Sequence, residues 1–351
     1  MIPNQTESTE LNLNTLGWKP FFQQQLTLEQ WEYCPARVTA VHRNRVELLT
    51  EQGSAEIPVL PNMPEIAVGD WLLLDGERFA ALLERQSLFR RKAAGPGLSE
   101  QLIAANVDTL LIVSSLNDDF NLNRIERYLA LAREAEVEPI LVLTKADLCD
   151  DADELTRQAQ RLDPLLMVEA VNALSDEVIE RLAPWCGNGK TLALMGSSGV
   201  GKSTLVNTLM GQETLATGGI REDDSKGRHT TTGRSLHRMG QGGWLLDTPG
   251  MRELQLTECE QGVSEVFSEI TQLAEQCRFA DCQHDNEPGC AVQAALASGE
   301  LDPRRLASYR KLLREQAHNS ETLAQRRARD KDLGKMYRSV QNHRRSQKGN
   351  R

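Results

Sequence analysis

The stretch Thr191 to Thr204, TLALMGSSGVGKST, constrains this chain more than any other. The apolar run Leu192, Ala193, Leu194 and Met195 leads straight into Gly196-Ser197-Ser198-Gly199-Val200-Gly201-Lys202-Ser203. Leu205, Val206, Leu209 and Met210 follow at helical spacing. The pattern predicts a strand, a glycine-rich turn and a helix start, with the spacing G-x-x-x-x-G-K-S. Backbone N–H groups of the turn, backed by the helix N-terminus, form a cradle for a triphosphate. Lys202 then reaches the outer phosphates, the Ser203 hydroxyl takes a place on Mg²⁺, and Thr204 continues the first helical turn. A surface Gly/Ser turn with a solvated lysine is the competing reading. It leaves the strand before the turn and the helix after it unexplained.

At 351 residues, the chain has room for two or three domains and at least one large core. No run approaches a membrane span, and Met1 to Leu16 is polar rather than signal-like, so a cytoplasmic location is the expectation. Seven cysteines, scattered except for the last three, argue for a reducing compartment and against a disulfide scaffold. The net charge of −10 is uneven. Pro303 to Arg351 holds 15 Lys and Arg against 4 Asp and Glu, so an acidic body carries a basic end. Such an end suits nucleic acid, with a solvated basic helix as the plainer alternative.

Taken in order, residues 1–35 read as a polar arm anchored by Trp18, Phe21, Phe22 and Trp31. ARVTAV, RVELLT, AEIPVL, VGDWLLL and RFAALL then read as five short strands broken by turns, an OB-like β-barrel over residues 36–92. Arg85 to Lys92 reads as an exposed basic linker. Residues 100–256 alternate apolar strand runs with helical stretches at Asn123 to Ala135, Glu154 to Arg161 and Glu177 to Leu182. That alternation predicts a mainly parallel sheet covered by helices on both faces. Residues 257–325 read as a small helical module, with Asp302-Pro303 starting a helix that buries Leu306, Tyr309, Leu312 and Leu313 on one face. Residues 326–351 form a basic tail that orders on RNA.

Thr144-Lys145-Ala146-Asp147 follows the strand Ile140 to Leu143, at the end where α/β sheets hold ligands. The Asp147 carboxylate can accept from N1–H and the exocyclic amine of guanine, a pair that adenine does not offer in that arrangement. The Lys145 stem can lie along the base. Asn172-Ala173-Leu174, after Met167 to Val171, fits a loop that puts a backbone N–H on the guanine oxygen. Asp247-Thr248-Pro249-Gly250 ends the strand Trp244 to Leu246, with Asp247 reaching Mg²⁺ through water and the Gly250 N–H meeting the γ-phosphate. Between them lies Gly227-Arg228-His229-Thr230-Thr231-Thr232-Gly233, a switch loop from which one of Thr230, Thr231 or Thr232 completes the Mg²⁺ shell. Met251 stands where Ras-like proteins carry a water-orienting glutamine, and a thioether cannot orient water. His229 is the nearest replacement, since an imidazole can accept from water near neutral pH. A solvated histidine in a mobile loop is the alternative.

Cys277, Cys282, His284 and Cys290 supply three thiolates and one imidazole within fourteen residues. That set suits a closed tetrahedral zinc site with no position left for substrate, so its role is structural. The spacing differs from paired C-x2-C motifs, and buried free thiols are the alternative.

The order of these motifs is informative. The base-reading Asp147 precedes Lys202, whereas most small GTPases place the phosphate loop first, so the domain reads as circularly permuted. Over residues 36 to 315 the chain resembles the RsgA (YjeQ/YloQ) family, circularly permuted GTPases that act in maturation of the small ribosomal subunit. The resemblance rests on the small barrel, the permuted motifs, GRHTTT, DTPG and the cysteine cluster. It implies an OB-fold domain, GTP/GDP and Mg²⁺ at the phosphate loop, one structural Zn²⁺, and hydrolysis that is slow alone and stimulated by the small subunit. It also gives the switch histidine, His229, the catalytic role, and the C-terminal zinc module a contact with rRNA. A monomer with no membrane partner is expected. Two departures stand out. Thr144 replaces the usual Asn, which removes a bracing amide and predicts weaker nucleotide affinity with guanine preference kept. The N-terminus is neutral to acidic where family members often begin basic. These leave a divergent paralogue, acting as a nucleotide-gated RNA-binding module with little turnover, as the alternative function.

Overall fold

The computed structural model describes residues 11–92, 100–117, 119–211, 234–247 and 259–320. Two short helices, α1 (Leu13–Leu16) and α2 (Pro20–Gln23), open the described chain. Leu16 and Phe22 are fully buried, and the Trp18 ring meets Trp71 edge-on at 4.9 Å. The arm is thus packed against the strands that follow, as its aromatics suggest. Trp31 differs, at 61% exposed.

Strands β1 (Cys34–Val41), β2 (Arg45–Thr50), β3 (Gly53–Pro58), β4 (Trp71–Asp75) and β5 (Arg78–Leu82) coincide with the five expected β runs. All described pairs among them are antiparallel: β1 takes β2 then β3 on one side, and β4 then β5 on the other. Alternation sends Ala36, Val38, Val46, Leu48, Ile57, Leu72 and Leu74 into one shared interior. The segment expected as a basic linker is instead built into the fold. Leu88–Lys92 is a strand, β6, paired antiparallel with β7 (Glu100–Ala105). Phe89 is buried there, which an exposed linker could not provide. Arg85 grips the buried Asp70 carboxylate with two hydrogen bonds of 2.7 and 2.8 Å, the fork-to-carboxylate geometry that favours arginine.

Next come β8 (Thr109–Ser115), α3 (Leu122–Glu134), β9 (Glu138–Thr144), α4 (Ala152–Gln160), β10 (Met167–Ala170), α5 (Glu177–Cys186), β11 (Thr191–Met195), α6 (Lys202–Met210), β12 (Ser235–Arg238) and β13 (Trp244–Asp247). The sheet order β10-β9-β8-β11-β13 is parallel throughout, and β12 closes it antiparallel. The near-continuous apolar runs of β8 and β9 are what a parallel strand covered on both faces requires. One feature escaped the sequence. β12 pairs with β1 through Ala40 and Ser235, so both strand sets belong to one eleven-stranded sheet.

Arg37 secures that junction. It is buried between Trp71 and Trp244, with ring centroids 5.8 and 5.9 Å from its guanidinium carbon. It donates to the Leu16 carbonyl and to Thr191 Oγ1. Burial lowers its pKa to about 10, while Asp108 pulls it upward, so it stays charged at neutral pH. Arm, first strand and phosphate-loop strand therefore share one cation.

The C-terminal part is helical: α7 (Glu260–Val266), α8 (Ser268–Ala274), α9 (Ala291–Ser298) and α10 (Pro303–Ser320). Asp302 caps α10 by accepting from Arg304 N at 2.8 Å, as the Asp-Pro pair suggests. Leu306 and Leu312 are buried and Tyr309 packs on Phe267, whereas Leu313 is 38% exposed. Helix α7 lies so close to α3 that a Cβ on Gly262 would stand 2.1 Å from the Ala130 carbonyl oxygen. The fully buried Glu126 of α3 accepts from Arg304, Arg305 and Ser308 of α10. Arg305 also bonds Glu269 and lies 4.4 Å over the Phe267 ring. Removing one member of such a buried ionic group leaves uncompensated charge, at a cost of about 3–5 kcal/mol.

Candidate nucleotide site

The phosphate loop leaves the C-terminal end of β11 and enters α6 at Lys202. Gly196 is dictated by space: a Cβ there would lie 2.2 Å from the Val113 carbonyl oxygen of β8. Gly196 to Thr204 are all described, and the predicted strand, turn and helix lie where the pattern put them. Lys202 Nζ donates to the carbonyls of Gly196, at 2.8 Å, and Ser197. A lysine folded onto its own loop is poised at the mouth of the cradle, from which it can turn to phosphate oxygens.

The first base-reading segment reaches this loop from the end of β9, across the intervening β8. Thr144 ends β9 and is fully buried. Its hydroxyl donates to the Val200 carbonyl at 2.6 Å, with the Ser114 carbonyl at 3.4 Å. Lys145 Nζ reaches the Gly199 carbonyl at 3.2 Å. The expectation that threonine forfeits the brace to the phosphate loop is therefore corrected. The hydroxyl is short, but β9 brings it close enough to tie the loop directly. Thr144→Val keeps the shape and removes that donor, and should weaken GDP binding about fivefold, one net hydrogen bond. Fluorescent-GDP titration checks this, and unchanged affinity would show that the tie is idle.

Asp147 lies in a single 3₁₀ turn, Ala146–Leu148, and is exposed. Ala146 N donates to the Val171 carbonyl at 3.2 Å, binding this turn to the loop after β10. In that loop Asn172 Oδ1 accepts from Leu174 N at 3.0 Å, and the Ala173 carbonyl accepts from Thr208 Oγ1 of α6 at 2.9 Å. The two base-side loops and the helix behind the phosphate loop are thus mutually tied. Asp247 ends β13, the strand beside β11, with its backbone paired to Ser235. His229, Thr230, Thr231, Thr232, Gly250 and Met251 lie outside the described residues.

The second cluster is at the head of α9. Ligand atoms of Cys277, Cys282, His284 and Cys290 all lie within 4.8 Å of one another. Cys277 Sγ is 3.8 Å from Cys290 Sγ, and both sulfurs are 3.6 Å from His284 Nδ1. Tetrahedral zinc, with bonds of about 2.3 Å to sulfur and 2.0–2.1 Å to nitrogen, sets its ligands roughly this far apart. The donor set and its size fit a metal. Cys186 and Cys259 differ: burial pushes both thiols up to about 12, so they remain protonated and inert. Residues the sequence reading missed are Arg124 and Asp119, beside Ser197, which no motif marks.

Comparison with known proteins agrees with this geometry. A family model described as RsgA GTPase matches residues 82–257. The Small ribosomal subunit biogenesis GTPase RsgA 2 of Vibrio parahaemolyticus is 58% identical over 340 residues, covering 96% of this chain and 95% of the relative. The Small ribosomal subunit biogenesis GTPase RsgA of Mesorhizobium japonicum is 49% identical over 316 residues, covering 88% and 91%. Among solved structures, YjeQ from Thermotoga maritima superposes with a TM-score of 0.60 at 27% identity, covering 81% of this chain and 98% of its own. YloQ, a circularly permuted GTPase, gives 0.57 at 22% identity over 84% and 99%, a likeness of fold. With Thr144 and Lys145 ahead of Lys202 in sequence yet bonded to the phosphate loop in space, and with relatives this similar along nearly the whole chain, the chain belongs to the RsgA GTPase family, whose GTPase fold is circularly permuted.

Proposed function

We propose that this GTPase acts on the small ribosomal subunit and couples GTP hydrolysis to a late step of its maturation. The observation that carries the reading is that Thr144 and Lys145 are bonded to the phosphate loop and Ala173 to helix α6 behind it, in a chain whose relatives are named small ribosomal subunit biogenesis GTPases. Asp147 reads guanine, a backbone N–H of Asn172 or Ala173 meets its oxygen, and Lys202 neutralises the outer phosphates. Ser203, Asp247 and one of Thr230, Thr231 and Thr232, Thr231 being the one we name, would hold Mg²⁺, which would supply positive charge to the phosphates when bound. His229 orients the attacking water and accepts its proton as the new P–O bond forms, and GDP leaves with the electron pair of the broken bond. Cys277, Cys282, His284 and Cys290 would hold one structural zinc.

In this reading residues 1–35 are an arm, 36–92 an OB-like unit, 100–256 the GTPase, 257–325 the zinc module and 326–351 a tail that meets rRNA. The protein works as a cytoplasmic monomer. Among the described residues no helix is long and apolar enough to cross a membrane.

Cosedimentation with small subunits in GDP or a non-hydrolysable GTP analogue tests the proposal. Binding favoured by the analogue, with stimulated hydrolysis, is the expected result. Binding to another RNA without stimulation would favour a nucleotide-gated RNA module instead. His229→Ala should abolish most of the stimulation, lowering turnover about a hundredfold, the usual reach of a general base. Stimulated turnover equal to wild type would remove His229 from the chemistry.

A further inference from the structure

A phosphate loop serves hydrolysis only when its donors are fixed before the charge develops. Thr144 and Lys145 hold one limb of the loop through Val200 and Gly199. The other limb is held from α3. Asn121 caps that helix by accepting from Arg124 N at 3.1 Å. The Arg124 side chain, 33% exposed, then reaches the loop: Nη1 donates to Ser197 Oγ and to Asp119 Oδ1, the latter at 2.7 Å. Nη1 carries two hydrogens, so both bonds can form together.

The support behind this contact is rigid. Glu126 stands two residues on, about 200° around the helix at 3.6 residues per turn, and is clamped by Arg304, Arg305 and Ser308. Helix α3 therefore cannot turn or slide without breaking a buried ionic group. Arg124 is presented to the loop by a fixed helix and aimed by a carboxylate.

We propose that Arg124 is a positioning residue of GTP hydrolysis, which fixes the first turn of the phosphate loop through Ser197. When Lys202 leaves the Gly196 and Ser197 carbonyls for the triphosphate, the Arg124 tie keeps that turn in register. Because Arg124 holds only the first turn of the loop, through Ser197, and among the described residues bonds neither base-reading segment, Thr144–Asp147 or Asn172–Ala173, its loss falls on kcat rather than on binding.

Steady-state GTP turnover of the full chain tests this. Arg124→Gln should lower kcat about tenfold, equivalent to about 1.4 kcal/mol, with KM and Tm near wild type. Arg124→Lys, which keeps the charge and donors, should recover part of the loss. Ser197→Ala, which removes the acceptor, should reproduce the Arg124→Gln defect. The double variant should be no worse than either single one, the mark of two groups acting as a unit. A kcat for Arg124→Gln within about twofold of wild type, below the scale of one hydrogen bond, would overturn the proposal. So would defects that multiply in the double variant, or parallel losses of kcat, KM and Tm that lysine does not rescue.

Discussion

Asp147→Asn should exchange guanine preference for xanthine preference. The carboxylate of Asp147 accepts from two donors on the guanine edge, N1–H and the exocyclic amine. An amide in its place still accepts from N1–H but turns its NH₂ against the amine. Each hydrogen bond to a charged group is worth about 1.5–3 kcal/mol. Weakening the first bond by removing its charge, and replacing the second by two opposed donors, should weaken GDP binding by about a hundredfold or more, with about 1.4 kcal/mol per decade. Xanthine carries a carbonyl where guanine carries the amine, so the same NH₂ becomes a matched donor. Asp147 is exposed on a short turn whose backbone is tied to Val171, so the substitution should leave the fold intact. Competition of GDP and XDP for a fluorescent nucleotide reads the exchange directly. GDP affinity within about threefold of wild type, less than one such bond, would show that Asp147 does not read the base.

What was legible in the sequence follows from how far each signal reaches along the chain. The phosphate loop and the base-reading turn are local: strand, glycines, lysine and helix start lie within fourteen residues, and backbone sterics dictate their shape. The cysteine cluster is local too, and its four ligands meet as the spacing suggests. Contacts between distant segments left no such trace. Thr144 and Val200 are 56 positions apart, so composition could report the missing amide but not the hydroxyl's reach to the loop. Arg37 reads as an ordinary strand residue, yet two tryptophans and Thr191 enclose it. Arg85 to Lys92 looks like solvated linker because its charges dominate, and only pairing with β7 reveals that Phe89 is core. Arg124 and Glu126 belong to an unremarkable amphipathic helix until Ser197 on one side and α10 on the other give them partners.

Cys282→Ala should cost the C-terminal module its metal and its local fold. The loop between Cys277 and Cys290 contains no long helix or strand, and few apolar side chains are buried in it. Its order must come from the cluster. Closed Cys₃His sites contribute on the order of 10–16 kcal/mol of apparent folding free energy in zinc-finger peptides, far more than the hydrogen bonds around this loop can replace. The neighbours depend on it as well. Cys290 Sγ caps α9 by accepting from Gln293 N at 3.4 Å. Gln293 and Arg310 both donate to the His284 carbonyl. Arg310 also pairs with Asp285 at 2.8 Å, so the loop is seated on α10. Wild-type protein should therefore hold about one zinc per chain, released by chelator only with unfolding of this region. Cys282→Ala should show little bound metal and early hydrogen exchange in α8 and α9. Cys259→Ala serves as the contrast, since that buried thiol, pushed up to about 12, should leave the metal content unchanged. Full zinc content in Cys282→Ala would instead mean that Cys282 is not a ligand, and wild-type protein without zinc would mean that the four side chains are ordinary free thiols and imidazole. The clamp at Glu126 sets how far the damage travels. Since α10 grips α3 through Arg304, Arg305 and Ser308, loss confined to α8 and α9 should leave GDP binding near wild type, and loss that spreads to α10 should loosen α3 and with it the phosphate loop.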